Sequence, residues 1–314
     1  MRSDLNAGGV WTRLWFDQAP ASRLAALRIF VASHTLWILL SRDFAATSRL
    51  PAPFRAAIAD TARLRYLIFE GGATLDAAVQ WVALAALICA LIGVLPRVAC
   101  FIAGIAIYHL APLETVIWTP DPVARGLTLA PIALLLMAFS RSGDALTLFR
   151  RSVPRLPSWE YGWPVRLVQV LVVQVFFFAG VGKLMQSGFA WAAADNIRRY
   201  LLLMNLSPEV GVFTSLGLWI ADHPLLCGLI GAGTLAFELS FPIALFFRRL
   251  LVVYVPAAFL FQLGIVVTMN VYVGEGWYLL AFVDWPHLVS RIAATRPQAG
   301  VASPGTADPL LRTG

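Results

Sequence analysis

Of the twenty-four basic residues in this sequence, only Lys183 is a lysine, and it sits at the end of a long apolar run, VLVVQVFFFAGVGKLM. A guanidinium stays protonated at any pH a protein meets, whereas a desolvated ammonium can give up its proton and act as a base or nucleophile. An ionisable group at membrane depth marks a functional site by default. The plain alternative is a lysine that anchors a helix end by snorkelling, a task arginine performs equally well. Gly180 and Gly182, just ahead of the lysine, are small enough to let another helix or a flat ligand approach the backbone. Glu238, inside GTLAFELSFPIALFF, is the natural counter-charge for Lys183, Arg28 or Arg125. A carboxylate in lipid surroundings is either paired or protonated, so Glu238 reads equally as a structural partner and as a catalytic group.

Other polar residues interrupt the apolar runs. Arg28 and His34 fall in LAALRIFVASH, and His109 and Glu114 near the end of the third run. Trp118 and Asp121 follow in the proline-rich IWTPDPVARGL. Gln169 and Gln174 share the fifth run, five residues apart and so about 140° apart on a helix. Gln262 and Asn270 punctuate the seventh. The set matches no zinc, haem or serine-hydrolase arrangement: GxSxG, HExxH and a glycine-rich phosphate loop are missing from the sequence. No metal is expected.

The elements that must position these residues are membrane helices. The 314 residues are 59% hydrophobic and 13% charged, with mean hydropathy +0.75; soluble domains carry about 25% charged residues. The +7 net charge comes from arginines scattered through loops, with no basic stripe, so nucleic acid is not an expected partner. Cys89, Cys100 and Cys227 all lie in apolar stretches without CxxC spacing and read as small core residues.

Apolar runs of bilayer-crossing length fall near 24–40, 77–95, 98–116, 163–185, 225–247 and 250–269. Shorter ones lie at 126–139 and 277–289, giving a count of eight. The expected fold is an all-α integral membrane bundle of about eight transmembrane helices. Within WAAADNIRRYLLL, Asp195, Arg198 and Arg199 share one side, as in an external helix lying in the interface plane; 210–220 reads as re-entrant, interfacial or the early part of the sixth span. Arginine placement puts the N-terminus in the cytoplasm, although the arginine-rich 42–76 segment then lies outside. Residues 1–22 form a cytoplasmic segment, 23–290 the membrane domain and 291–314 a flexible tail. The expected location is a bacterial inner (plasma) membrane.

FFFAGVGKLMQSGFAW resembles the hallmark of the horizontally transferred transmembrane (HTTM) domain, the membrane portion of vitamin K-dependent gamma-carboxylases, where an apolar helix ends in AG-x-x-KL followed by a tryptophan. FSRSGDALTLFRR is similar to that family's connector. LAFELSFPIALFFRRL and FLFQLGIVVTMNVY resemble its next helices, and LAALRIFVASHTLW its opening one. The resemblance spans roughly 24–285. It implies that Lys183 is the base that deprotonates a reduced naphthoquinone, which then reacts with oxygen to yield a strong base for carbanion formation and carbon dioxide capture. Such chemistry needs a desolvated amine and a pocket that excludes water. Asp121 stands where the carboxylases have an assisting histidine, and Gln262 where the family has another. The carboxylases also carry a large extracytoplasmic substrate domain after the membrane part; here a soluble or membrane partner is expected to supply it.

Three functions follow. The first is a gamma-carboxylase-like membrane enzyme, with Lys183, Asp121 and Glu238 catalytic and His109, Gly180, Gly182, Gln174, Gln262 and Trp118 holding a quinone or other lipid-soluble reactant. The second is a non-catalytic quinone- or lipid-binding subunit of a membrane redox or maturation complex, similar to DoxX-like proteins. The third, a transporter, is disfavoured because inverted repeats and paired broken helices are missing.

Overall fold

A computed structural model describes residues 9, 15–44, 46, 49, 72–114, 127–149, 156–206, 214–271 and 274–288. Among them all regular secondary structure is helical, with one isolated bridge between Ala19 and Ser158. The α-helices are α1 (Ala21–Leu40), α2 (Gly72–Ile92), α3 (Pro96–Glu114), α4 (Ala130–Ala138), α5 (Trp159–Ser187), α6 (Ala194–Leu206), α7 (Leu216–Ala221), α8 (Pro224–Phe246) and α9 (Leu251–Met269). Three 3-10 segments join them, Gly188–Ala192, Arg248–Leu250 and Gly274–Phe282.

Six of these helices, α1, α2, α3, α5, α8 and α9, are long and apolar enough to cross a membrane. The protein is an integral, multi-pass membrane protein. Only 6% of the apolar window of α9 is fully buried, and most of its other residues are half-buried, so this helix lies at the edge of the bundle with one face toward lipid. The two shorter runs behave differently from the six. Run 126–139 becomes the nine-residue α4, and the first six residues of run 277–289 fall in the nine-residue 3-10 segment Gly274–Phe282. At 1.5 and 2.0 Å per residue these extend roughly 14 and 18 Å, short of a ~30 Å hydrocarbon core.

Local chemistry explains where the helices begin and end. The Ser158 hydroxyl caps α5 by accepting the Glu160 N–H at 3.3 Å, satisfying one of the orphan donors at a helix start. Gly188 closes the same helix at φ +59°. Asn270 closes α9 in the left-handed region, where asparagine is tolerated better than most side chains. Pro224 starts α8, where its missing N–H costs nothing.

One end of the bundle is gathered by the segment 139–149. Buried Arg28 of α1 donates to the carbonyls of Ser142 and Leu146, Arg97 to that of Ser140 at 2.8 Å, and the Tyr161 hydroxyl to Asp144 at 2.9 Å. At the opposite end α6, α7 and the start of α8 enclose a second small core of Ile197, Leu201, Ile220, Ala221 and Cys227. The expected amphipathic character of α6 is present: Asp195, Arg198 and Arg199 are exposed and Ile197 and Leu201 are buried. The expected core placement of the cysteines holds for Cys100 and Cys227, which are buried thiols, while Cys89 is partly buried.

A polar latch fastens this end. Asn270 donates to the Asn205 side-chain oxygen at 2.8 Å, and Asn205 donates to the Thr268 carbonyl at 2.8 Å. Gly217 is forced by this packing, because a Cβ there would lie 1.9 Å from the Thr268 oxygen. Gly217→Ala should therefore destabilise the protein by about 1–3 kcal/mol, the usual cost of overpacking. Thermal unfolding in detergent reads this as a lowered midpoint. Gly228→Ala, whose Cβ meets nothing within 4 Å, should leave the midpoint unchanged or raise it.

Candidate functional site

The site forms where α5 crosses α8. Gly180 makes the crossing close: a Cβ at that position would lie 3.0 Å from the Glu238 Cβ and 3.2 Å from Leu239. One turn earlier on α5, Phe176 packs edge-on against Phe237, Phe241 and Phe261, with ring centroids 5.8, 5.2 and 5.9 Å away. These rings seal one side of the crossing with apolar surface. Three residues beyond Gly180, Lys183 donates from Nζ to Glu238 Oε1.

The chain then turns at Gly188 and runs back as the 3-10 segment Gly188–Ala192. Gly231 of α8 receives it, since a Cβ on Gly231 would meet the Ala192 oxygen at 2.6 Å and its Cα at 2.9 Å. That contact holds Trp191 against the lysine, with Nζ 4.8 Å from the ring centroid. Lys183 is thus bracketed by a carboxylate and an aromatic face.

Burial within the pair is unequal. The Lys183 side chain is 22% exposed and that of Glu238 only 2%. Glu238 Oε2 is buried and has no hydrogen-bond partner among the described residues. A buried acceptor of this kind normally finds a partner. The crossing therefore combines a proton-bearing nitrogen, a carboxylate with a spare oxygen, and an apolar wall.

The other expected site residues distribute as follows. Gly180 carries the close approach of α8, whereas a Cβ on Gly182 would meet nothing within 4 Å. Gln174 is exposed; nine residues before Lys183, it lies about 180° around the helix from it, and is not brought to the pair. Gln169 faces inward instead, accepting from Arg166 at 3.1 Å and donating to the Ala281 carbonyl at 3.0 Å. It ties the 3-10 segment Gly274–Phe282 to α5. Gln262 packs against Gly276, and its Oε1 is buried without a partner among the described residues. Asp121 and Trp118, like Arg125, lie outside the described residues. Arg28 is not the partner of Glu238; backbone carbonyls receive its guanidinium.

His109 is held by a residue the sequence reading did not select. Its Nε2 lies 2.7 Å from Asp76 Oδ1, and both side chains are buried. Asp76 opens α2 and His109 lies near the end of α3. The available signal was equal depth on adjacent antiparallel helices. His34 also emerges buried, among rings from α1 and from 274–282.

No family model matches this chain, and neither a curated protein nor a solved structure matches it. Function is accordingly argued from the chemistry of the α5–α8 crossing.

Proposed function

We propose that the Lys183–Glu238 pair is an acid–base site for a lipid-soluble reactant bearing an ionisable ring hydroxyl, such as a reduced quinone. The unpartnered, buried Oε2 of Glu238 beside Lys183 carries this reading. A ring hydroxyl entering from the lipid side donates to Oε2. The proton passes to the carboxylate, and the Lys183 ammonium balances the oxyanion that remains. One O–H bond breaks and one forms, and the net charge of the assembly is unchanged, as a low-dielectric site requires. In this form the base is the pair, with glutamate taking the proton and lysine holding the anion, rather than a lone neutral amine. The reading keeps the reactant class that the HTTM and gamma-carboxylase resemblance implies, but gives the proton to Glu238 rather than to Lys183.

The proposed setting is a bacterial inner membrane with the N-terminus in the cytoplasm. The chain changes sides eight times, at the six long helices and at α4 and Gly274–Phe282, which reach across only together with the chain that flanks them, and α6 lies in the interface. The arginines at the 139–149 end of the bundle support that orientation.

The second reading is a quinone- or lipid-binding subunit of DoxX-like type, favoured by the firm pairing of Lys183, which suits holding as well as reaction. One titration separates the two. 1-Naphthol is added to the protein in phosphatidylcholine nanodiscs and its absorption is followed. For proton transfer, bound naphthol shows the red-shifted spectrum of naphtholate in wild type and not in Glu238→Gln. Binding without ionisation in both proteins favours the subunit. Affinity in Glu238→Gln should fall roughly tenfold or more, as expected for losing one charge-assisted hydrogen bond of about 1.5–3 kcal/mol. Equal affinity and equal spectra in wild type, Glu238→Gln and Lys183→Arg would remove the site from both readings.

A further inference from the structure

A further polar group is buried without a partner among the described residues, on α1 rather than on the helices of the α5–α8 crossing. His34 on α1 is 6% exposed, and neither Nδ1 nor Nε2 has a hydrogen-bond partner among the described residues. Four rings surround it. Phe30, one turn earlier, lies parallel at a centroid distance of 6.5 Å and 6°. Trp37, one turn later, is at 6.2 Å and 38°. From the 3-10 segment Gly274–Phe282, Trp277 is at 6.5 Å and 42°, and Tyr278 meets the imidazole edge-on at 5.8 Å and 89°.

The cage has a closed side and an open side. Tyr278 is fully buried, whereas Trp37 and Trp277 are 46% and 44% exposed. In a protein whose exposed apolar surface faces lipid, those two indoles form the wall a lipid-dissolved molecule meets first. Both stand tilted to the imidazole rather than stacked on it, an arrangement that leaves ring faces available.

Interfacial tryptophans alone are ordinary anchors, but anchoring does not explain an imidazole with both nitrogens unsatisfied. Leaving a buried polar group unpaired is unfavourable, and an apolar ring would fill the same space without that cost. An aromatic cage also suits a quaternary ammonium. That ligand offers no hydrogen-bond group, so the imidazole would stay unsatisfied. A flat ring with an oxygen at its edge meets both demands: its faces pack on the indoles, and a carbonyl accepts from, or a hydroxyl donates to, the imidazole.

We infer that His34, Phe30, Trp37, Trp277 and Tyr278 form a binding site, entered from lipid between the two tryptophans, for a planar lipid-soluble molecule carrying a ring carbonyl or hydroxyl. The site joins α1 to the 274–282 segment. It does not rest on the acid–base reading of Lys183.

The test is the ¹⁵N spectrum of histidine-labelled protein in phosphatidylcholine nanodiscs. The chain has four histidines, and the His34 signals are identified by their loss in His34→Phe. The probes are 2-methyl-1,4-naphthoquinone and 2-methylnaphthalene, the same ring system with and without oxygens. The quinone should move the His34 resonances saturably in wild type and equally in Lys183→Met, while the hydrocarbon leaves them in place. Trp37→Leu and Trp277→Leu should each weaken the quinone response at least several-fold. His34→Phe should raise the melting temperature, since it removes the unpaired imidazole, and abolish saturable quinone binding at this site. A His34 signal that ignores the quinone, or answers both probes alike, overturns the inference. Loss of the response in folded Lys183→Met would also overturn it, by making this site part of the other.

Discussion

Lys183→Met should be the most destabilising single change at the α5–α8 crossing, costing about 3–5 kcal/mol, as breaking a buried ion pair does. The reason is the unequal burial of the partners. Removing lysine strands a carboxylate whose side chain is 2% exposed and whose second oxygen already lacks a partner among the described residues. Removing glutamate strands an ammonium that is 22% exposed and rests on Trp191. A lysine on its four-carbon stem can bend toward headgroups or water, so Glu238→Leu should cost less than Lys183→Met. The double variant Lys183→Met/Glu238→Leu should recover most of the loss, because neither charge is then left alone and apolar side chains fill a lipid-compatible crossing. Thermal or chemical unfolding of all four proteins in one detergent gives the coupling energy of the cycle. The burial argument fails if Glu238→Leu proves the worse of the two single changes, or if the double variant costs the sum of both.

Stability and function separate within the same cycle. A double variant that recovers its melting temperature yet fails to ionise bound 1-naphthol is the expected result for an acid–base pair. Recovery of both would show that neither side chain takes part in the reaction.

The sequence exposed this site because its clues were local. A lone lysine in an apolar helix and a lone glutamate in another needed no knowledge of packing to be paired as candidates, and Gly180 sat beside them. The six long helices were legible for the same reason, since apolar length alone defines them. What escaped depended on depth and register between distant segments. Asp76 reaches His109 only because α2 and α3 run antiparallel side by side. His34 looked like one more polar interruption of α1 until Gly274–Phe282 brought Trp277 and Tyr278 against it. That segment was the hardest to foresee: a 3-10 helix has neither the 3.6-residue period nor the length by which membrane spans are recognised. Asn205 was missed likewise, and Asn270 read only as an interruption of the seventh run, as their latch closes across 65 residues of chain.

The second large effect is expected at Arg28. This side chain is fully buried, yet no carboxylate meets it among the described residues; its two terminal nitrogens donate to the carbonyls of Ser142 and Leu146. Those carbonyls belong to the segment that also engages Arg97 through Ser140 and Tyr161 through Asp144. Leu146 itself holds φ +52°, a left-handed conformation that a leucine adopts only where its surroundings fix it. Arg28 therefore joins α1 to the turn that gathers α3 and α5. Arg28→Met should cost about 3–6 kcal/mol, since two carbonyls lose charge-assisted partners worth about 1.5–3 kcal/mol each. Arg28→Lys should lose a large part of this too, because an ammonium on a flexible stem does not reproduce the planar fork. The readouts are the unfolding midpoint and faster proteolysis within 139–149. The decisive comparison crosses Arg28 with Glu238. If the guanidinium is satisfied by backbone alone, Arg28→Met and Glu238→Leu should add within about 0.5 kcal/mol, as independent sites do, whereas Lys183→Met and Glu238→Leu should be strongly non-additive. Coupling between Arg28 and Glu238 would mean that the carboxylate serves both cations, and the assignment of Glu238 to Lys183 alone would fall.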